Sequence, residues 1–364
     1  MDASRDLATT ADGVARGRLR TGWRLLGSAA VSALLCFVLL RQIDPRELGR
    51  WLVRVDPQLF AVYVALSVAG LLARSYRYRM LIGRWVGFAP LVLVTAARNF
   101  LVDLLPARVG SLSYVYLLTR RFGVPLEPVL SSFVVTFFYD LFAMTLLLGT
   151  AVAVEFGRLE GAAALGAVAA MLGAAALAAF LRLPAAARFA AGRVRRSARG
   201  ARLAGRLDDL ARELDGAGRR GQAAALLAIS FVIRLLKFAA YWALLLGVVR
   251  EHDLTAADLP FWRVFLGIAG AELSATLPIH GIAGIGTYET AWAMGFRGLG
   301  MPARVAILSG FATHLLSQLY DYSLGLLALA VALAWSRGGR RVGPGIDSPT
   351  ARLAADGDQG HADR

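Results

Sequence analysis

The chain has 364 residues, 57% of them hydrophobic and only 18% charged, with a mean hydropathy of +0.57, a composition that excludes a soluble domain for most of its length. Basic residues outnumber acidic ones by 40 to 25, but no basic stretch carries interleaved stacking aromatics, so nucleic acid is excluded and anionic lipid headgroups are the expected partner. A single cysteine, Cys36, excludes an intrachain disulfide, and His252, His280, His314 and His361 show no metal-ligand spacing, so neither a metal nor a cofactor is expected.

Residues 1–22 form a polar, arginine-rich tail. The apolar run that follows ends at Arg41 without a small-residue cleavage signal, and is read as an uncleaved first span. A hydrocarbon core of about 30 Å needs about 20 apolar residues in a helix. Six runs of suitable length are bounded by charge, proline or glycine: 23–40, 57–80, 126–154, 161–183, 222–249 and 303–334.

Two further apolar segments, 90–122 and 260–297, are each broken near the middle by proline and glycine. They are predicted to form helical hairpins, re-entrant or fully crossing, because non-helical backbone at membrane depth survives only where protein or a wet cavity satisfies its polar groups. Their turns are expected at Pro106 to Gly110 and at Pro278, Gly284 and Gly286. A basic loop, 184–221, holds ten arginines against four acids, and the tail 336–364 is polar and expected to be disordered. The fold class is therefore an all-α integral membrane protein, with one transmembrane domain over 23–335, about six spans and two hairpins.

Arginine in short loops collects on the cytoplasmic side. The N-terminal tail, Arg79 and Arg84, Arg120 and Arg121, the 184–221 loop and the C-terminal tail with Arg337, Arg340 and Arg341 all fall inside, while the acidic stretch 250–259 falls outside. Both termini are then cytoplasmic.

Five landmarks recur in order within 57–156 and 222–334. These are a cation-bearing span (Arg74 and Arg77; Arg234 and Lys237), a Leu-Pro turn (Pro106; Pro278), a glycine turn, a Gly-x-Pro (Gly123 to Pro125; Gly300 to Pro302) and Tyr-Asp (Asp140; Asp321). The first copy starts outside and the second inside, which is an inverted-topology repeat, the architecture that lets transporters alternate access to a midplane site.

Ionisable groups at membrane depth are costly and mark candidate sites. Ser67, Gly70, Arg74 and Arg77 share one helical face, as do Ser230, Arg234, Lys237 and Tyr241; Ser132, Thr136 and Asp140; and His314, Gln318 and Asp321. The hairpins add Arg98, Asn99, Asp103 and Arg108 from one side and Glu272, His280 and Glu289 from the other. Arg74 and Arg77 either line a cavity or snorkel to the surface. Asp140 and Asp321 serve as partners of the cations, as substrate contacts, or as both, and the histidines read as packing residues or proton relays. Arginine's planar donors suit phosphate, so within an expected cavity that includes Asn99, the cations Arg74, Arg77, Arg98, Arg108, Arg234 and Lys237 suit a lipid phosphodiester, while Asp140, Glu272, Glu289 and Asp321 balance that charge, bind an amino-bearing headgroup or carry protons.

The run from Asn99 through Pro106 and Arg108 to Gly110, followed by Gly123 and Asp140, together with Pro278, Gly284, Gly286 and Glu289, resembles the lysylphosphatidylglycerol synthase transmembrane region, a flippase-like family, over about residues 25 to 335. The resemblance implies a plasma-membrane fold with paired re-entrant hairpins, which in the synthase moves an aminoacylated phospholipid between leaflets. This chain departs from the family where Ser111 and Tyr114 replace an acid and an arginine. Nothing in it resembles the synthase's soluble aminoacyl-transfer domain.

The leading expectation is thus a non-enzymatic translocator of a phospholipid or lipid-linked molecule. The alternatives are a membrane-embedded transferase acting on a lipid-phosphate carrier through Asp44, Glu47 and Asp56, and a non-transporting partner of another membrane complex. Homo-oligomerisation is left open by the sequence.

Overall fold

The structure is a computed structural model, and it describes residues 44–105, 110–157, 162–195, 198–217, 220–252, 254–274 and 285–335. The expected first span 23–40 and both tails lie outside the described residues, as do Pro106, Arg108, Pro278, His280 and Gly284.

The described residues form helices and no strand. In chain order they are α1 (Pro45–Val53), α2 (Pro57–Ile82), α3 (Phe88–Leu104), α4 (Leu112–Tyr116, continued by a π-helical turn Leu117–Arg121), α5 (Leu126–Phe156), α6 (Ala162–Val194), α7 (Ala198–Ala217), α8 (Arg220–Val249), α9 (Phe261–Ser274), α10 (Thr287–Gly298) and α11 (Ala303–Ala334). Five of the helices are long and apolar enough to cross a membrane. Their flanks carry exposed Leu72, Leu146, Met171, Leu181, Leu319, Leu326 and Leu327. Such a continuous apolar surface is untenable in water and natural against acyl chains, so this is a multi-pass membrane protein.

Local chemistry sets the helix starts. Asp44 and Asp56 each precede a proline, and the Asp56 carboxylate accepts the amides of Gln58 and Leu59, both at 2.9 Å, which satisfies donors that a helix start leaves open. Helices α5 and α11 both begin after a Gly-x-Pro whose glycine lies in the left-handed region, Gly123 at φ 71° and Gly300 at φ 95°. There a side chain would clash with the backbone, and the proline then starts the next helix.

The hairpin helices are short. Helices α3, α9 and α10 have 17, 14 and 12 residues, about 26, 21 and 18 Å at 1.5 Å per residue, so none matches a full crossing with margin. At its return the first hairpin needs a glycine: a Cβ on Gly110 would overlap the backbone of Leu101 and Val102 in α3. One boundary differs from the sequence expectation. Helix α6 does not stop at 183 but runs to Val194 through Pro184, and most of the expected basic loop is helical as α6 and α7. The surrounding alanines favour helix enough to carry it past one proline.

Helices α2 and α8 pack along each other, α3 packs along α11, and α9 along α5. The first helix of each hairpin therefore lies on the last long helix of the other half. Close approach makes this possible at Gly325, where a Cβ would collide with Phe100 of α3. The largest apolar core joins α2 and α8 to α9, α10 and α11 around Phe238, Phe265, Trp292 and Phe311, and a second joins the end of α2 to α3 and α4 around Tyr78, Leu91 and Tyr114.

At the end of the bundle formed by the start of α2 and the end of α8, four ion pairs bridge the two halves. They are Glu47 with Arg304 at 2.5 Å, Arg54 with Glu251 at 3.2 Å, Glu155 with Arg263 at 2.5 Å, and Asp56 with Arg250. Trp51 of α1 stacks on His252 there, with centroids 4.1 Å apart. At the opposite end Arg121 donates to the carbonyls of Ala332 (3.0 Å), Leu333 and Trp335 (2.7 Å), where α11 finishes.

Candidate functional site

Between the two halves lies a cavity of about 440 Å³. Its charged wall follows from the helical stripes read in the sequence: a 3.6-residue period delivers Arg74 and Arg77 from α2, Arg234 and Lys237 from α8, and Asp140 from α5 to one space. Helix α3 adds Arg98, Asn99 and Asp103, α9 adds Glu272, and α11 adds Asp321.

Arg77 and Asp140 form its electrostatic centre. The Asp140 carboxylate accepts both Arg77 amino groups, Nη1 at 2.5 Å and Nη2 at 3.2 Å, and Arg234 lies 3.5 Å from Oδ2. Nη1 of Arg77 also donates to Ser230 Oγ at 2.7 Å, and the Ser230 hydroxyl in turn donates to Leu226 O. A two-pronged guanidinium–carboxylate match of this kind fixes orientation as well as charge. Arg77 is thereby buried, its side chain 1% exposed, and does not snorkel. Lys237 pairs with Glu272 at 2.5 Å, and Arg74 donates to Asn99 Oδ1 at 3.1 Å.

The pairing leaves donors over. Nε of Arg98 and of Arg234 are buried with no hydrogen-bond partner among the described residues, and such groups carry a desolvation cost until an acceptor arrives. Formal charge on the wall is Arg74, Arg77, Arg98, Arg234 and Lys237 against Asp103, Asp140, Glu272 and Asp321, a surplus of one positive charge.

A profile of the lysylphosphatidylglycerol synthase transmembrane region matches residues 25–325, which spans the cavity lining and every long helix up to the middle of α11. The chain belongs to this family. No curated protein matches it significantly. Membership points to a membrane lipid-related role for the chain.

Of the residues singled out in the sequence, the structure brings Arg74, Arg77, Arg98, Asn99, Asp140, Arg234, Lys237, Glu272 and Asp321 to one wall. Glu289 is not on that wall. It is buried behind it on α10, against His314. Gly286 starts α10 at φ 89°. Three tyrosines also line the cavity: Tyr241, already on the α8 stripe, and Tyr63 and Tyr320, which the sequence reading of the site missed, Tyr63 standing edge-on to both others with centroids 6.1 and 5.5 Å away. Continuing the Ser67, Gly70, Arg74 stripe one turn back along α2 reaches Tyr63, so that signal was present.

The cavity also meets the lipid-facing surface. Phe137 and Leu141 of α5 and Leu273 of α9 line it and are themselves 56%, 38% and 60% exposed. A charged interior with an apolar, exposed rim accommodates a molecule that is polar at one end and apolar at the other.

Proposed function

We propose that this protein moves a phospholipid or lipid-linked molecule between leaflets of the plasma membrane, without bond-making chemistry, by alternating exposure of the charged cavity. The observation that carries the reading is the rim of Phe137, Leu141 and Leu273 on a wall of arginines. A phosphodiester takes the spare guanidinium donors of Arg98 and Arg234, while acyl chains lie across the rim in the bilayer. Intramembrane cations of this kind are too costly to keep without a use.

The reciprocal packing of α3 on α11 and α9 on α5 supports an inverted repeat, with both termini in the cytoplasm. The four cross-half ion pairs then stand on the outer side and Arg121 on the inner side. Each holds one entrance closed until the halves rock apart.

The transferase alternative loses its acids. Asp44 and Asp56 are helix caps, and Glu47 and Asp56 are ion-paired to Arg304 and Arg250.

Purified full-length protein in liposomes, with fluorescent anionic or zwitterionic phospholipid in one leaflet, tests the reading. Leaflet exchange above protein-free vesicles is expected, and inert wild-type protein with every lipid overturns it. Topology is tested separately in a Cys36→Ala background. Arg84→Cys and Ala256→Cys, at the entrances of the two hairpins, are expected to react with an impermeant thiol reagent from opposite sides. Same-side labelling removes the inverted repeat.

A further inference from the structure

A second polar cluster, around Glu289 and His314, lies off the cavity lining. Glu289, in the first turn of α10, is 1% exposed. Its Oε2 accepts the amide of Gly286 at 2.7 Å, and its Oε1 stands 2.5 Å from Nδ1 of His314 on α11. The other imidazole nitrogen is 2.7 Å from Gln318 Nε2, and the ring of Tyr288 lies over the imidazole with centroids 4.4 Å apart. Trp292 and Leu316 belong to the apolar core around them.

Charge accounting decides what this pair holds. Among the described residues no arginine or lysine is paired with Glu289 or His314. A carboxylate beside a neutral imidazole leaves one buried negative charge that the Gly286 amide and the start of α10 offset only in part, and a water-excluded interior disfavours it. One added proton removes that charge, whether carried as carboxylate with imidazolium or as carboxylic acid with imidazole, and the 2.5 Å separation suits a proton held between the two. The ring of Tyr288 covers His314, and the titratable groups that act on Tyr288 besides Glu289 are Tyr241 from α8, Tyr63 from α2 and Glu272 from α9, which Lys237 neutralises. Phenols stay neutral near physiological pH, so the pair sets its own charge.

The site is also mechanically placed. Glu289 ties Gly286, at the start of the returning helix of the second hairpin, to a long helix of the bundle through His314. Gln318 and Asp321 continue the His314 face along α11, and Asp321 lines the cavity.

We propose that Glu289 and His314 form a proton-binding site, separate from the lipid cavity, whose loading and unloading moves the second hairpin and couples proton movement to lipid movement. The coupling rests on the lipid reading above, whereas proton binding does not. With the proton bound the pair is neutral and the hairpin is clamped to α11. On its release to water the remaining negative charge favours a hydrated, unclamped hairpin.

Two measurements on the full chain test this. In a Cys36→Ala background, Ile285→Cys carries a trifluoromethyl label whose fluorine NMR shift is followed through a pH titration, with Glu289→Gln and His314→Gln as variants. A single transition is expected in the parent and none in the variants. A flat parent titration overturns the site without reference to any variant, and a transition that survives both substitutions overturns the assignment.

In liposomes with labelled phospholipid, a pH gradient imposed in either direction is expected to change the exchange rate of wild type several-fold between polarities, and to leave His314→Gln unaffected by polarity. Exchange indifferent to the gradient overturns the coupling. A clear titration with no exchange of any lipid leaves the proton site standing and removes the lipid reading instead.

Discussion

Both amino groups of Arg77 on α2 meet both oxygens of Asp140 on α5, at 2.5 and 3.2 Å, so one carboxylate fixes the relative rotation of two spans while Arg234 of a third stands 3.5 Å away. Asp140→Ala leaves Arg77 buried without a counter-charge. Removing one partner of such a pair costs about 3 to 5 kcal/mol. The expected result is a large fall in thermal unfolding temperature in detergent. The double variant Arg77→Met with Asp140→Leu recovers part of it, because the Arg77 charge is gone while Arg234 still lacks its carboxylate.

The α3–α11 contact is governed by space at Gly325. A Cβ there meets Phe100 and the Ala96 carbonyl, and overpacking of this kind costs about 1 to 3 kcal/mol. Gly325→Ala should lower thermal stability, and adding Phe100→Ala should restore part of it. If the single variant is as stable as wild type, the two helices do not pack at this distance.

Arg121 joins the first hairpin to the last turn of α11 through the carbonyls of Ala332, Leu333 and Trp335. Losing a cation at a helix C-terminus costs about 0.3 to 1 kcal/mol. Arg121→Ala should therefore speed hydrogen–deuterium exchange across 329–335 with little change in global stability. Arg121→Lys should recover only part of the protection, because an ammonium is a point charge without the planar fork.

The four cross-half ion pairs are solvent-exposed on their basic side, so each contributes little to folding. Their weight falls on the balance between states. Glu47→Gln combined with Glu155→Gln should leave unfolding temperature nearly unchanged while raising the reactivity of a cysteine at Tyr63 toward an impermeant reagent added outside. High ionic strength should do the same to the parent through screening.

Outside the membrane, the Thr255 amide and hydroxyl both donate to Asp258, at 2.9 and 2.7 Å, and hold its carboxyl below the usual value. A depressed folded value means that this turn's contribution is present above the unfolded pKa and lost as pH falls through the folded one. A lower protection factor at 255–258 in acid, after correction for the pH dependence of the intrinsic exchange rate, is expected, and Asp258→Asn should abolish that acid dependence.

Much of the candidate site was legible because period and cost are written into the sequence. A lone Asp140 inside a 31-residue apolar helix, or Arg234 and Lys237 one turn apart on α8, can only face a polar space, and helical spacing tells which neighbours share the face. The paired Gly-x-Pro motifs marked the starts of α5 and α11 in the same way. Partner choice was not legible. Lys237 pairs with Glu272, not with the equally available Asp321, and Tyr63 joined the site from a position that carries no charge to betray it.

By itself the sequence determined that the chain lives in lipid, that long apolar helices lie near 57–80, 126–154, 161–183, 222–249 and 303–334, and which face of most of them is polar, since those follow from local hydrophobicity and the 3.6-residue repeat. Only the tertiary structure decided which faces meet. Arg77 went to Asp140, and Glu289 went behind the wall to His314. Those choices depend on how glycines such as Gly325 let helices distant in sequence approach, and on how far a hairpin inserts, neither of which leaves a periodic trace along the chain.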